Sequence, residues 1–244
     1  MTLTFGLDGV TIGGKKPIVW YGTSIEQGGV ASRPGSTYTN VLTRSLDQMV
    51  SATDSLCNHN LCIHLDQHSY YVVAFVPSAK ETCPHKVGFH SQVLNFGFAG
   101  NGVMETTVAQ FLVQLDPALF VIDCLPNMDA STVNERTAAL VKYIRKVHPS
   151  TPILLVAGTT YGDHWINPQS NDLKRAALQT QYAALVKGGV QGLHLMLDEK
   201  NELFAFNDLV NPTVGGTHPS DLGHREIATF YSKYLPSLLA GALP

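Results

Sequence analysis

Two short segments near opposite ends of the chain carry residues that could act together in nucleophilic catalysis. Ser24 follows the apolar run Pro17–Tyr21 and the small residues Gly22 and Thr23. His218 stands in the segment Gly216-Thr217-His218-Pro219. A serine hydroxyl is a weak nucleophile until a base takes its proton, and neutral histidine suits that exchange near pH 7. Ser24 and His218 are therefore a candidate nucleophile and base for acyl transfer.

Four blocks, taken in chain order, carry a family resemblance. They are Tyr21-Gly22-Thr23-Ser24, Asn95 to Gly102, Asp123 to Asn127, and Gly216-Thr217-His218-Pro219. They resemble the SGNH, or GDSL-type, hydrolases, and with Ala31 to Gly35 they are similar to a bacterial branch of carbohydrate esterases. The resemblance implies a serine esterase in which Ser24 is the nucleophile and His218 the base. It also implies oxyanion donors at the amide of Gly100 and the side chain of Asn127.

One position departs from the pattern of that family. The family carries an aspartate three residues before its histidine, and this chain has Gly215 there. Such an aspartate holds the imidazole in the correct tautomer, so its absence puts the activity in question. Asp208, in the preceding loop, is the candidate third member, whereas Asp221 is expected to cap the last helix with Ser220.

The alternative is a catalytically impaired relative that binds an acylated glycan or a protein partner. If the chain is active, the resemblance implies a small acyl ester or an acylated sugar as substrate, with no cofactor and no metal. Arg33, Tyr38 and Trp165 are candidate substrate contacts. Trp165 could instead anchor its loop by partial burial.

Composition excludes several other classes of function. The net charge is −3 and the basic residues are scattered, which argues against a nucleic-acid partner. No run approaches the length of a membrane span, and no signal peptide precedes Gly14, so we expect a cytoplasmic protein, or a secreted one if the chain is truncated. The glycine-rich stretch after Thr23 lacks the phosphate-loop and dinucleotide patterns, which disfavours a nucleotide binder.

The elements that must position these residues alternate along the chain. Five short apolar runs predict buried parallel strands, and the segments between them have helical spacing. We therefore expect a flavodoxin-like three-layer α/β/α sandwich with about five parallel strands. Thr132 and Glu135 predict a capping box, and Gly188-Gly189 predicts a helix end. The runs are Pro17–Tyr21, Gln92–Phe96, Leu119–Cys124, Pro152–Ala157 and Gln191–Leu197.

Residues 48–91 form an unusually long insertion in what we expect to be one domain, residues 1–244. Cys57 and Cys62, with histidines nearby, leave a zinc site open, although their spacing is looser than the usual knuckle. Because the insertion joins a helix to the next strand, it is expected at the amino-terminal edge of the sheet, remote from Ser24. We expect it to cover or extend an edge strand.

Overall fold

Five parallel strands form the central sheet, as the apolar runs predict. The computed structural model describes residues 16–50, 93–157, 168–197 and 212–240. The strand order is β2-β1-β3-β4-β5, and all four pairings are parallel. The strands are β1 (Ile18–Thr23), β2 (Val93–Phe98), β3 (Leu119–Asp123), β4 (Ile153–Val156) and β5 (Leu193–Met196).

Helices cover both faces of the sheet and divide the core into two halves. On one face α3, α4 and α5 pack over residues such as Val19 and Phe120, and on the other α2 and α6 pack over Ile18 and Val121. The three-layer α/β/α sandwich is therefore confirmed. The helices are α1 (Ser24–Gln27), α2 (Tyr38–Val50), α3 (Thr106–Leu112), α4 (Ala130–Val147), α5 (Pro168–Lys187) and α6 (Asp221–Ala240).

This strand order fixes where a site can form. The first strand, β1, lies second in the sheet, and from it the chain steps to β2 on one side and then crosses to β3 on the other. The carboxyl ends of β1 and β3 consequently flank a topological switch point, where open α/β sheets place their ligands. Ser24 is the first residue after β1, so it lies at that point.

The ends of two helices test the capping predictions. Asp129 is the N-cap of α4 and its carboxylate accepts the amide of Thr132 at 2.7 Å, so the predicted box of Thr132 with Glu135 is wrong. The helix begins one turn earlier than predicted because Asp129 already satisfies the free amides. The prediction for Gly188-Gly189 is confirmed: α5 ends at Lys187, and Gly189 adopts the left-handed conformation of a Schellman motif.

A small hairpin delivers His218 to the sheet edge. Strands β6 (Thr213–Val214) and β7 (His218–Pro219) pair antiparallel, with Val214 opposite His218. The turn between them needs positive φ at its two central residues, and Gly215 and Gly216 have φ values of +63° and +77°. Ser220 follows β7 and caps α6 through its hydroxyl, which accepts the amide of Gly223 at 3.4 Å.

Most of the predicted insertion lies outside the described residues. Helix α2 extends to Val50, and residues 51–91, with Cys57 and Cys62, are not described, so the predictions of an edge-covering segment and of a zinc site remain predictions. In the part of the chain that is described, no helix has the length and apolar character needed to cross a bilayer.

The loop after α1 contains a strained backbone conformation. Val30 has φ of +71°, a region that a β-branched residue rarely adopts, and its side chain is half exposed. A left-handed backbone conformation costs a residue other than glycine roughly 1–2 kcal/mol. Glycine avoids this cost, but it loses more conformational entropy on folding, which offsets about half of the gain from replacing Val30.

Val30→Gly should therefore stabilise the fold by about 1 kcal/mol, which corresponds to a rise in melting temperature of about 2–4 °C for a protein of this size. Thermal unfolding by circular dichroism measures it. The matched control is Ala31→Gly, since Ala31 does not have a positive φ and the change should lower the melting temperature. Equal losses in both variants would show that Val30 is not strained.

Candidate active site

Ser24 and His218 meet at the carboxyl edge of the sheet, as predicted from their positions. The distance between Ser24 Oγ and His218 Nε2 is 2.8 Å, a normal hydrogen bond, and both side chains are partly exposed. A neutral imidazole can accept the hydroxyl proton at Nε2 only if its own proton is on Nδ1. The pair therefore has the geometry of a serine nucleophile and its base.

The ring of His218 packs against the backbone that follows α1. A Cβ atom added to Gly29 would lie 3.0 Å from His218 Cδ2, and the amide of Gly29 donates to Ser24 O at 2.7 Å. A side chain at this position would push the ring away from Ser24. The absence of a side chain at Gly29 thus helps to fix the distance between base and nucleophile.

Asp221 binds the loop after α1 and not the base. Its carboxylate accepts the amide of Ser32 at 2.8 Å and also the hydroxyl of Ser32, which hold its pKa below the usual value for aspartate. Among the described residues no carboxylate is hydrogen-bonded to His218. Gly215 leaves the expected aspartate position without a side chain, and Asp208 lies outside the described residues, so its role remains a prediction.

Gly100 lies in a tight turn after β2 that is tied to α1. The side-chain oxygen of Gln27 accepts the amide of Ala99 at 3.1 Å, so the turn is fixed one residue before Gly100. Gly97 allows this approach, because a Cβ atom there would lie 2.2 Å from the backbone nitrogen of Gln27. Gly100 itself has φ of +67°. The structure therefore brings the Gly100 turn against the helix that begins with Ser24.

Asn127 joins the same group from the turn after β3. Its side-chain amide donates to the carbonyl of Asn101 and lies 3.4 Å from that of Phe98. Asn127 is thus bound to the Gly100 turn, and one of its two N–H groups would have to serve a substrate oxyanion in addition to this contact or in place of it.

The turn that carries Ser24 is fixed by a capping box that the sequence analysis did not single out. The Thr23 side chain accepts the amide of Ile25 at 3.3 Å, and the Glu26 carboxylate accepts both the amide and the hydroxyl of Thr23. The backbone carbonyl of Glu26 in turn accepts the side-chain amide of Asn95 from β2. The pattern Thr-x-x-Glu starting at Thr23 was the available signal.

Glu26 and Asp123 form a buried carboxyl pair directly beneath this turn. Glu26 is fully buried and Asp123 is nearly so, and Asp123 is in register with Gly22, against whose position the Glu26 carboxylate lies. Burial raises the pKa of both groups, and for Asp123 the charge of Glu26 raises it further. Gly22 makes room for Glu26, since a Cβ atom there would lie 2.2 Å from Glu26 Oε2.

The proposed substrate contacts have different outcomes. Tyr38 is completely buried, with its hydroxyl donating to Glu26 Oε1 at 2.9 Å, so its assignment as a substrate contact is wrong. It packs in the core because α2 presents it to Trp20 and Tyr231. Arg33 is exposed on the loop that leads from Ser24 to α2, and Trp165 lies outside the described residues.

A second histidine, His224, lies behind the site and is neutral at physiological pH. Burial lowers its pKa to about 4, and its Nδ1 accepts the backbone amide of Tyr38 at 3.2 Å. It supports the start of α2 and has no free role as a base. Within the described ranges, no group of three or more acidic, histidine or cysteine side chains is arranged to hold a metal ion.

A serine hydrogen-bonded to a histidine at the switch point of a doubly wound sheet is the arrangement of an α/β serine hydrolase. The sequence profile of the GDSL-like lipase/acylhydrolase family matches residues 15–61 and 85–236. The chain belongs to that family, and the resemblance inferred from its motifs is confirmed. Among curated proteins, none matches this chain significantly in sequence.

Solved structures with the same fold include several esterases. A GDSL-like lipase from Bacteroides ovatus is 28% identical, with a TM-score of 0.69 over 93% of this chain and 54% of its own. A family 3 carbohydrate esterase from Clostridium thermocellum is 17% identical, with a TM-score of 0.59 over 93% of this chain and 98% of its own. A two-domain esterase active on acetylated mannans is 15% identical, with a TM-score of 0.57 over 94% of this chain and 51% of its own. This chain thus spans about half the length of the Bacteroides protein.

Asn127→Ala should lower kcat about 100-fold to 1,000-fold with little change in KM, because an oxyanion donor acts in the transition state. Steady-state ester hydrolysis measures both constants. The control is Asn101→Ala, whose exposed side chain donates only to the nearby carbonyl of Ala99 and should leave kcat within about twofold of wild type. If Asn127→Ala has a normal kcat and a lower melting temperature, Asn127 stabilises the Gly100 turn and is not an oxyanion donor.

Proposed function

We propose that this protein hydrolyses short acyl esters, acetyl esters of carbohydrates foremost, through an acyl-serine intermediate at Ser24. The observation that supports it most strongly is the 2.8 Å contact between Ser24 Oγ and His218 Nε2 at the switch point. Membership of the acylhydrolase family supports the reaction class. Two structural neighbours, a carbohydrate esterase and an esterase active on acetylated mannans, suggest the alcohol part of the substrate.

The proposed reaction has two halves that use the same groups. His218 Nε2 takes the proton of Ser24 Oγ as that oxygen attacks the ester carbonyl, and the resulting oxyanion accepts hydrogen bonds from the amides of Ser24 and Gly100 and from Asn127. Collapse breaks the bond to the alcohol, which leaves with the proton from His218. Water, deprotonated by His218, then attacks the acyl-serine, and Ser24 regains its proton as the acid is released.

The site as described has two of the three members of a triad. Without a carboxylate on His218 Nδ1, the imidazole is less well oriented and its protonated form less stabilised, and a protease that lost this aspartate slowed about 10,000-fold. The nucleophile, base and oxyanion donors alone still accelerate such reactions over water. We therefore propose a working but slow esterase, unless Asp208 completes the triad.

Ser24→Ala should abolish hydrolysis of p-nitrophenyl acetate and release of acetate from acetylated mannooligosaccharides, because it removes the Oγ atom that forms the acyl intermediate. The control is Ser45→Ala, since the Ser45 hydroxyl donates to Val41 O within its own helix at 3.0 Å. Wild-type turnover in purified Ser24→Ala would overturn the assignment of the nucleophile. Hydrolysis of the nitrophenyl ester but not of the acetylated sugar would leave the mechanism standing and refute the carbohydrate substrate.

Gly215→Asp should raise kcat by between tenfold and about 10,000-fold, because a carboxylate there would orient His218. The position has room for it, since a Cβ atom would meet nothing within 4 Å. Its φ of +63° is strained for a side chain, but Asp and Asn tolerate this region better than other residues. Gly215→Asn therefore has a similar backbone cost without the charge, and the ratio of the two rates isolates the carboxylate.

A companion variant decides whether the triad is already complete. Asp208→Asn should reduce kcat strongly if Asp208 is the third member, and in that case Gly215→Asp should add nothing. If neither substitution changes the rate and the wild-type protein is inert towards esters, the protein is a binding relative of the family and not an esterase.

A further inference from the structure

We infer that Asp123 is protonated in the native fold at neutral pH and donates its proton to the Glu26 carboxylate. We further infer that this acid–carboxylate pair is the positioning element of the turn that carries Ser24. The first half concerns the fold alone. Only the consequence for catalysis rests on the proposed function.

Burial, together with the lack of a cationic partner among the described residues, favours a shared proton. Both carboxyl groups are removed from water, and an ionised carboxylate buried without a counter-charge is strongly unfavourable. In the described ranges the only ion pair is that of Lys16 with Asp116, on the surface. Two adjacent carboxylates with no cation between them cannot both ionise near neutral pH, as in other carboxyl dyads.

The hydrogen bonds determine which group keeps the proton. Glu26 accepts from Thr23 N, Thr23 Oγ1 and Tyr38 Oη, three donors that favour its ionised form. Within the described ranges, Asp123 accepts from one donor, the hydroxyl of Tyr231 at 3.2 Å. A carboxylate has about four acceptor positions, so a proton on Asp123 supplies the fourth donor to Glu26. The reverse assignment would put the proton on Glu26 and so weaken its bond to the Thr23 amide, which can only donate.

The other titratable groups around the pair do not supply a charge. Tyr38 from α2 and Cys124 after β3 have pKa values raised by burial, so both are neutral at pH 7. Tyr231 from α6 contributes its hydroxyl as a donor. His224, which stacks on Tyr38, is neutral above its pKa of about 4. The net charge of this part of the core therefore depends on the proton shared by Glu26 and Asp123.

The position of the pair ties three elements together at the nucleophile. Asp123 is the last residue of β3 and is in register with Gly22 of β1. Glu26 is two residues after Ser24, and its carboxylate accepts hydrogen bonds from Thr23. These bonds fix the backbone where β1 ends and α1 begins. Loss of the proton would place two negative charges side by side and push β3 away from that junction.

Asp123→Asn and Glu26→Gln should behave differently although both remove one carboxyl group. Asn at 123 imitates a protonated acid, because its amide can donate to Glu26, so the variant should fold and keep at least about half of the esterase kcat. Gln at 26 replaces one of the two acceptor oxygens with an NH2 group, so part of the donor set formed by Thr23, Tyr38 and protonated Asp123 loses its acceptor, and kcat should fall at least tenfold. Equal losses in the two variants would contradict the location of the proton on Asp123.

Infrared spectroscopy tests the proton directly and needs no activity. Wild-type protein at pH 7 should show the carbonyl band of a protonated carboxyl group, and this band should be missing from Asp123→Asn. Asp116→Asn, which removes an exposed carboxylate, is the control and should keep the band. A wild-type spectrum without a protonated carboxyl band overturns the proposal even if the enzyme proves active. A band in an inert protein upholds it while the proposed function fails.

The pH dependence of stability gives a third measurement with a defined sign. The folded pKa of Asp123 is raised, so the unfolded chain loses this proton near pH 4 while the folded chain keeps it, and rising pH favours unfolding. From pH 5 to 8 the folding constant of wild type should fall, relative to Asp123→Asn, by up to about tenfold per pH unit. Parallel stability profiles for the two proteins would contradict the shared proton.

Discussion

The interaction on which the rest of this structure depends is the contact between two carboxyl groups that water cannot reach. Glu26 and Asp123 are buried without a cationic partner in the described residues, so their surroundings must supply every hydrogen bond that water would otherwise provide. Tyr38, Tyr231 and Thr23 do so from three different elements. The bonds between Thr23 and Glu26 also restrict the backbone on either side of Ser24.

The order of the strands explains why this arrangement forms at the nucleophile. β1 lies between β2 and β3, so the first helical turn after β1 has a neighbour on each side. β2 contributes Asn95, which binds the Glu26 carbonyl, and β3 contributes Asp123. The Gly100 turn and Asn127 follow these same two strands. The scaffold thus fixes Ser24 and the candidate oxyanion donors, while the described residues leave the candidate base His218 without a carboxylate partner.

Much of the fold could be predicted from sequence because its signals are local. The strands are short apolar runs buried on both faces, and each predicted strand has its counterpart within about two residues. Ser24, His218, Gly100 and Asn127 could be placed at one edge because each follows a strand or a motif of the family. Their meeting at this edge needs only parallel topology, which the alternation of strands and helices indicates.

The parts that could not be predicted depend on long-range packing. Glu26 and Asp123 are residue types that are usually exposed, and nothing in the local sequence shows that the two carboxyl groups approach each other in the core. Tyr38 follows the nucleophile loop as a substrate contact would, yet α2 turns it into the core. The start of α4 was misplaced because Asp129 and Thr132 are both good N-cap residues one turn apart, and only the structure distinguishes them.

The most direct test of the central claim, that the turn after β1 presents an activated serine, is covalent labelling with a fluorophosphonate probe followed by peptide mapping. The account predicts one adduct per chain, located on Ser24, and a rate of labelling that falls strongly in His218→Ala. Folded wild-type protein that takes up no probe, or takes it up at another serine, would contradict the account.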